Sequence, residues 1–229
     1  MASSCFADVW HGSLGGCINA LDSLFMLLSV DEQQKAASYS RQQMRDEFIA
    51  VRALLRLTLA SYLNVDARVL RFDKGLYGKP VLVGYDLQFN LSHSAGYLVV
   101  AVSNVAGVGV DLELIKCRQN LDRVARRCFS VREYHFWCVL PESERVDMFY
   151  RFWVAKEAFT KAVGRGLAVG LDECELVVPG LDGFENLPAA YGAVKAWQLR
   201  ELHLQEGFAA ALVMPTGEFS FRQLMFCSE

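Results

Sequence analysis

No two cysteines in this chain stand at metal or redox spacing: the 7 are odd in number, contain no CxxC and form no Cys/His cluster. That usage argues against a disulfide framework and a zinc site, so a reducing compartment, the cytoplasm, is the expectation. A basic excess is also missing. With 23 Lys and Arg against 26 Asp and Glu, the net charge of -3 excludes a general nucleic-acid binder. Long apolar runs are absent too, the stretch 97–102 being far too short to span a bilayer. The opening MASSCFADVW has no basic region followed by an apolar one. Neither secretion nor membrane insertion is expected. What remains is a chain of 229 residues, 53% hydrophobic and 21% charged, enough for a sizeable core in one or two domains.

The densest chemistry lies in RFWVAKEAFTKAVGRGL, residues 151–167. Residues four apart share a helix face, so Glu157 and Lys161 project together while Lys156 points about 100° away. Upstream, GVGVDLEL places Asp111 and Glu113 on one face of a strand with Leu112 turned into the core. Three carboxylates could converge, and acidic oxygens without Cys or His suit a hard ion such as Mg²⁺, with Mn²⁺ tolerated. A lysine beside such an ion suggests a phosphate ligand. Each pair alone is also explained by an ordinary solvated contact worth roughly 0.2–0.5 kcal/mol. Trp153 and its aromatic neighbours read as core, and Gly164 as a left-handed helix cap.

A third segment, YGKPVLVGYDLQFNLSHS at 77–94, adds donors suited to phosphate oxygens. Pro80 biases Lys79 toward extended geometry, and Ser92 and His93 sit where an apolar strand gives way to a turn. A helix over 41–62 carries Arg41, Arg45, Arg52 and Arg56 around an apolar stripe of Phe48, Leu55 and Leu59.

Together GKP, FNLSHS, GVGVDLE, FSxxE (Phe129 to Glu133) and WxxKEAxxKxxGxGL resemble, in order and spacing, the 4'-phosphopantetheinyl transferases of the Sfp type over roughly 41–171. The resemblance implies transfer of the 4'-phosphopantetheine arm of coenzyme A to a serine of an apo acyl, peptidyl or polyketide carrier protein, with release of adenosine 3',5'-bisphosphate. It implies that Asp111, Glu113 and Glu157 hold Mg²⁺ and that Lys161 contacts the pyrophosphate. His93 would meet the 3'-phosphate, Ser92 and Gly78-Lys79-Pro80 would line the nucleotide pocket, and Arg45 is the first choice among the helix arginines for a phosphate clamp. By the same resemblance Glu133 is the proton acceptor; Ser130 followed three residues later by Glu133 is also a capping box, a compatible role. A monomer is implied, with no membrane or nucleic-acid partner. A different Mg²⁺-dependent phosphate enzyme, a non-catalytic carrier binder and a smaller trimeric synthase are the alternatives.

The expected fold is α+β with two pseudo-twofold lobes, each a small antiparallel sheet packed with helices, divided near Val105-Ala106-Gly107 into 1–106 and 107–229. Helices are expected over 31–40, 41–63, 121–127, 131–140 and 142–164. Strands are expected over 68–72, 87–91, 97–103, 107–114, 173–178, 195–202 and 208–215, with a hairpin at the GKP turn.

Overall fold

Period-two alternation along two long strands sets the layering. The computed structural model describes residues 5–226. Strand β1 (Phe6–Ser13) leads to three helices, α1 (Leu21–Phe25), α2 (Val30–Ala37) and α3 (Gln42–Leu63). A hairpin of β2 (Phe72–Lys74) and β3 (Pro80–Leu82) follows, then β4 (Gln88–Ser94) and β5 (Tyr97–Ser103). Every residue of β5 is buried. Leu98, Val100 and Val102 pack with Leu55 and Leu59 of α3, whereas Val99 and Ala101 point the other way and join Ala7 and Val9 of β1.

The second half supplies β6 (Gly109–Leu114), α4 (Leu121–Cys128), α5 (Val131–Val139) and α6 (Glu142–Val163). The short β7 (Glu175–Leu176) and β8 (Phe184–Asn186) precede β9 (Trp197–Glu201), β10 (Phe208–Pro215) and β11 (Ser220–Met225). Along β10, Ala210, Leu212 and Met214 share a core with Val110 and Leu112 of β6 and with Val9 and Val99. Ala209, Ala211 and Val213 turn instead to Phe152, Ala155 and Phe159 of α6. The layers therefore run α3, first sheet, second sheet, α6. Phe152 and Phe159 are fully buried, each contributing roughly 1.5–3 kcal/mol.

The first sheet has the order β11-β1-β5-β4 and the second β6-β10-β9. This is the expected α+β class, with one difference of detail in the strand pairing. The β1–β11 pair is parallel, Phe6 facing Ser220 and His11 facing Met225, so the first sheet is not wholly antiparallel. It also puts β11 in the sheet of the first half, so a boundary near 105–107 divides the chain order but not the sheets. Neither strand was expected from sequence. The register is held by Asp8, fully buried, which accepts from Arg222 Nε at 2.9 Å and Nη2 at 2.6 Å and from the Tyr62 hydroxyl at 2.5 Å. The extreme ends of the two expected lobes, 1–4 and 227–229, including part of the opening segment, lie outside the described residues.

Where a strand was expected from 68, Ala67–Val69 forms a 3-10 turn. The buried Arg56 accounts for it: Nη1 donates to the carbonyls of Ala67 at 2.9 Å and Leu70 at 3.0 Å, which a neighbouring strand would otherwise take. The strand expected over 173–178 shrinks to the two residues of β7. Among the described residues no helix is long and apolar enough to cross a membrane.

Candidate active site

Gly109 brings helix α6 onto strand β6. A Cβ there would lie 2.1 Å from the Ala158 carbonyl oxygen and 2.3 Å from the Ala162 nitrogen, so only glycine allows the backbones to meet. Gly109, Asp111 and Glu113 share a strand face by the two-residue period, and Ala158 and Ala162 flank Glu157 and Lys161 along α6. One close contact thus sets two acids of a strand against an acid and an amine of a helix.

Asp111 is 4% exposed. Its Oδ1 accepts from Lys161 Nζ at 2.7 Å and from the Ser92 hydroxyl at 2.8 Å, while Oδ2 is buried without a partner. Lys161 Nζ also reaches the Val110 carbonyl at 3.2 Å. Glu113 Oε2 accepts from the Ser94 hydroxyl at 3.0 Å. Glu157 Oε1 is a second buried oxygen without a partner. Burial first, and then the negative charge of Asp111, push the Glu157 carboxyl above the usual carboxylate range, with Lys161 pulling the other way.

Two orphaned carboxylate oxygens on facing elements fit a hard cation, since a buried anionic oxygen left bare is costly. Among the described residues no three His, Cys, Asp or Glu side chains are placed to enclose an ion unaided. The acids are therefore less tightly gathered than their spacing implied. Such an arrangement suits an ion held by one or two carboxylates whose shell is completed by phosphate oxygens and water.

The other expected residues are distributed around this face. Lys79 is turned inward: Nζ donates to the Val108 carbonyl at 2.8 Å and reaches that of Ala162 at 3.5 Å, and burial lowers its pKa to about 8. Gly78 and Pro80 line a cavity of about 700 Å³ with Lys35, Arg52, Phe72 and Lys74. Arg52 is ion-paired with Glu32 and its guanidinium lies 4.6 Å from the Phe72 ring centre. His93 is exposed on β4, on the face opposite Ser92. Arg45 lines a different cavity of about 350 Å³ with Asp22, Phe25 and Asp46, so the structure does not bring it to Gly78 and Pro80.

Glu133 stands apart in a buried network. The capping box is formed, Ser130 N donating to Glu133 Oε2 at 2.6 Å and Glu133 N to Ser130 Oγ at 3.2 Å. Leu176 N donates to Oε1 at 2.8 Å, and Lys156 Nζ lies 2.8 Å from Oε2. Both side chains of that pair are 0% exposed. Lys156 also donates to the carbonyls of Leu171 at 2.7 Å and Cys174 at 2.6 Å. With every oxygen engaged and no exposure, this geometry accommodates the cap and leaves no room for a substrate hydroxyl. Lys156 as counterion and Asn90 are not evident from the sequence, which offers Ser94 only as one of the donors ending its strand; the polar alternation of Asn90, Ser92 and Ser94 is the available signal for Asn90.

Comparison with known proteins adds an independent line. A family model described as "4'-phosphopantetheinyl transferase superfamily" matches residues 107–213, and one described as "4'-phosphopantetheinyl transferase, N-terminal" matches 17–105. The chain is similar to the 4'-phosphopantetheinyl transferase HetI of a Nostoc strain, 33% identical over 210 residues, covering 90% of this chain and 86% of that protein. It is 34% identical over 178 residues to a putative 4'-phosphopantetheinyl transferase of Synechocystis, covering 76% and 71%. To the 4'-phosphopantetheinyl transferase Sfp of Bacillus subtilis it is 29% identical over 146 residues, covering 63% and 64%.

Proposed function

Because this chain belongs to the 4'-phosphopantetheinyl transferases, Sfp-like in type, we propose that the face shared by Asp111, Glu157 and Lys161 holds the pyrophosphate of coenzyme A during transfer. The enzyme moves the phosphopantetheine group from coenzyme A to carrier proteins, and its family is generally dependent on a divalent metal. The observation that carries the site reading is the pair of buried oxygens without partners, Asp111 Oδ2 and Glu157 Oε1, beside the Lys161 ammonium.

Asp111, Glu157 and the adjacent Glu113 would hold Mg²⁺, an ion that prefers oxygen donors and keeps room for phosphate; Mn²⁺ suits the same set. Bound there, the ion would neutralise charge on the pyrophosphate oxygens. Lys161 donates to those oxygens from the helix side. In the large cavity Lys35, Arg52 and Lys74 supply positive charge, the Phe72 ring supplies a flat apolar wall, and Gly78 and Pro80 the rim. A volume of about 700 Å³ lies in the range of small-molecule sites. We place the nucleotide there, with exposed His93 as a further donor to its 3'-phosphate; Arg45, in its separate cavity, has the weaker case.

In the reaction the carrier serine oxygen bonds to the β-phosphorus, the bond from that phosphorus to the bridging oxygen breaks, and adenosine 3',5'-bisphosphate leaves with the electron pair. Glu157, an acid of the same face, takes the hydroxyl proton as the new bond forms. Glu133 is then a positioning residue, anchoring α6 through Lys156, the neighbour of Glu157. Both sides of the site come from one chain, which supports a monomer as the working unit. Intact mass of an apo acyl or peptidyl carrier protein incubated with the enzyme, coenzyme A and Mg²⁺ tests the reading. A gain of one phosphopantetheine group that EDTA prevents is the expected result; a gain undiminished by EDTA sinks the metal assignment.

A further inference from the structure

Three polar side chains of β4 reach β6 at successive positions on one face. Asn90 Oδ1 accepts from Val110 N at 2.8 Å. The Ser92 hydroxyl donates to Asp111 Oδ1 at 2.8 Å. The Ser94 hydroxyl donates to Glu113 Oε2 at 3.0 Å and its oxygen accepts from Leu114 N at 3.3 Å. β4 and β6 lie in different sheets, each as an edge strand. Side chains of the first half thus stand where a neighbouring strand would otherwise satisfy the outer edge of β6.

We propose that Ser94, supported by Asn90, is a positioning residue of the transfer site: it aims the Glu113 carboxylate, so that the first half of the chain sets the acids contributed by the second. The inference rests on the reading of Asp111, Glu113 and Glu157 as a metal site. A partly exposed glutamate has three side-chain torsions to settle, and a charge-assisted hydrogen bond to one oxygen removes much of that freedom before any ligand arrives. Asn90 fixes the height of the strand by holding the Val110 amide, and Ser92 treats Asp111 as Ser94 treats Glu113. Partners that orient a metal ligand in this way typically change affinity by about 10–100-fold when removed. His93 lies between the two serines on the opposite face, so one seven-residue strand carries the proposed phosphate donor and both carboxylate guides.

The test is a Mn²⁺ titration followed by electron paramagnetic resonance, with coenzyme A present, on the unsubstituted enzyme and on Ser94→Ala, Ser94→Thr, Glu113→Ala and the Ser94→Ala/Glu113→Ala double variant. Ser94→Ala is expected to weaken Mn²⁺ about 10-fold, and Ser94→Thr, which keeps the hydroxyl, to restore most of the loss. In the Glu113→Ala background Ser94→Ala is expected to have no further effect, because its action runs through that carboxylate. Affinity for adenosine 3',5'-bisphosphate should stay unchanged, and excess Mg²⁺ should recover turnover. Wild-type Mn²⁺ affinity in Ser94→Ala overturns the proposal, as does an equal loss in the Glu113→Ala background, which would mark general damage to the fold. Absence of Mn²⁺ binding by the unsubstituted enzyme removes the metal-site reading itself, a failure visible before any variant is compared.

Discussion

Replacing Lys156 by methionine should cost this protein a large share of its stability. Lys156 and Glu133 are both 0% exposed and 2.8 Å apart, and the same ammonium satisfies the carbonyls of Leu171 and Cys174. Methionine fills similar volume but removes three donor contacts. The Glu133 carboxylate keeps two backbone donors, Ser130 N and Leu176 N, yet loses its ion-pair partner, the Lys156 ammonium. Removing one partner of a buried pair costs about 3–5 kcal/mol, and each orphaned carbonyl adds about 1–3 kcal/mol unless water reaches it. With water reaching both carbonyls, a loss of about 4 kcal/mol follows, out of a typical total of about 5–15 kcal/mol. For a chain of this length that is a fall in Tm of roughly 8–16 °C. Glu133→Gln should destabilise comparably, because it strands the ammonium, and the double substitution should cost less than the sum of the two. Urea unfolding followed by circular dichroism, beside the transfer rate, measures both effects. The reasoning is refuted if Lys156→Met stays within about 1 kcal/mol of the parent, too little for a broken buried pair. It is equally refuted if Glu133→Gln keeps full stability while turnover and its pH dependence vanish; Glu133 would then be the proton acceptor rather than an anchor.

Other outcomes follow from the same geometry. Burial lowers the Lys79 pKa from 10.5 to about 8, so between those values the unfolded chain holds a proton the folded one lacks, and stability rises with pH across that window while the full cost persists below it. At about 1.4 kcal/mol per pH unit the cost is roughly 3 kcal/mol, so Lys79→Met should flatten the dependence of the urea midpoint between pH 7 and pH 10; parallel curves for parent and variant would sink the assignment. The raised Glu157 carboxyl works in the opposite sense: the metal-free folded state binds the proton more tightly than the unfolded one, so it gains stability as pH falls through the window just above 4.5. Mn²⁺ affinity should weaken over that window, and Glu157→Gln should abolish the stability slope. Gly109→Ala should cost about 3 kcal/mol or more, because helix backbone rather than a flexible side chain must move; a variant as stable as the parent would show that β6 and α6 separate easily.

Much of the arrangement of the candidate site was legible because its residues follow local periods. The two-residue period of a strand placed Asp111 with Glu113 and Leu112 in the core, and the helix period placed Glu157 with Lys161, with Gly164 ending the helix at φ 70. Motif order brought the family within reach, and the capping box at Ser130 and Glu133 was readable from three residues' spacing. The elements missed were those whose partners are remote. β11, with the sequence SFRQLM, is an edge strand with little alternation of its own, and it exists because β1, more than 200 residues earlier, offers a free edge and Asp8 an anion for Arg222.

The sequence by itself determined the chemical types at the site, acids, amines and hydroxyls at fixed spacings, because side-chain direction within one element follows from backbone geometry alone. Tertiary structure decided which of them meet. It turned Lys79 inward to Val108, sent Arg45 to its own cavity, gave Glu133 to Lys156 and left single oxygens of Asp111 and Glu157 bare. Those outcomes depend on the close meeting of β6 and α6 at Gly109 and on desolvation between layers, and both arise only when segments distant in the chain pack together.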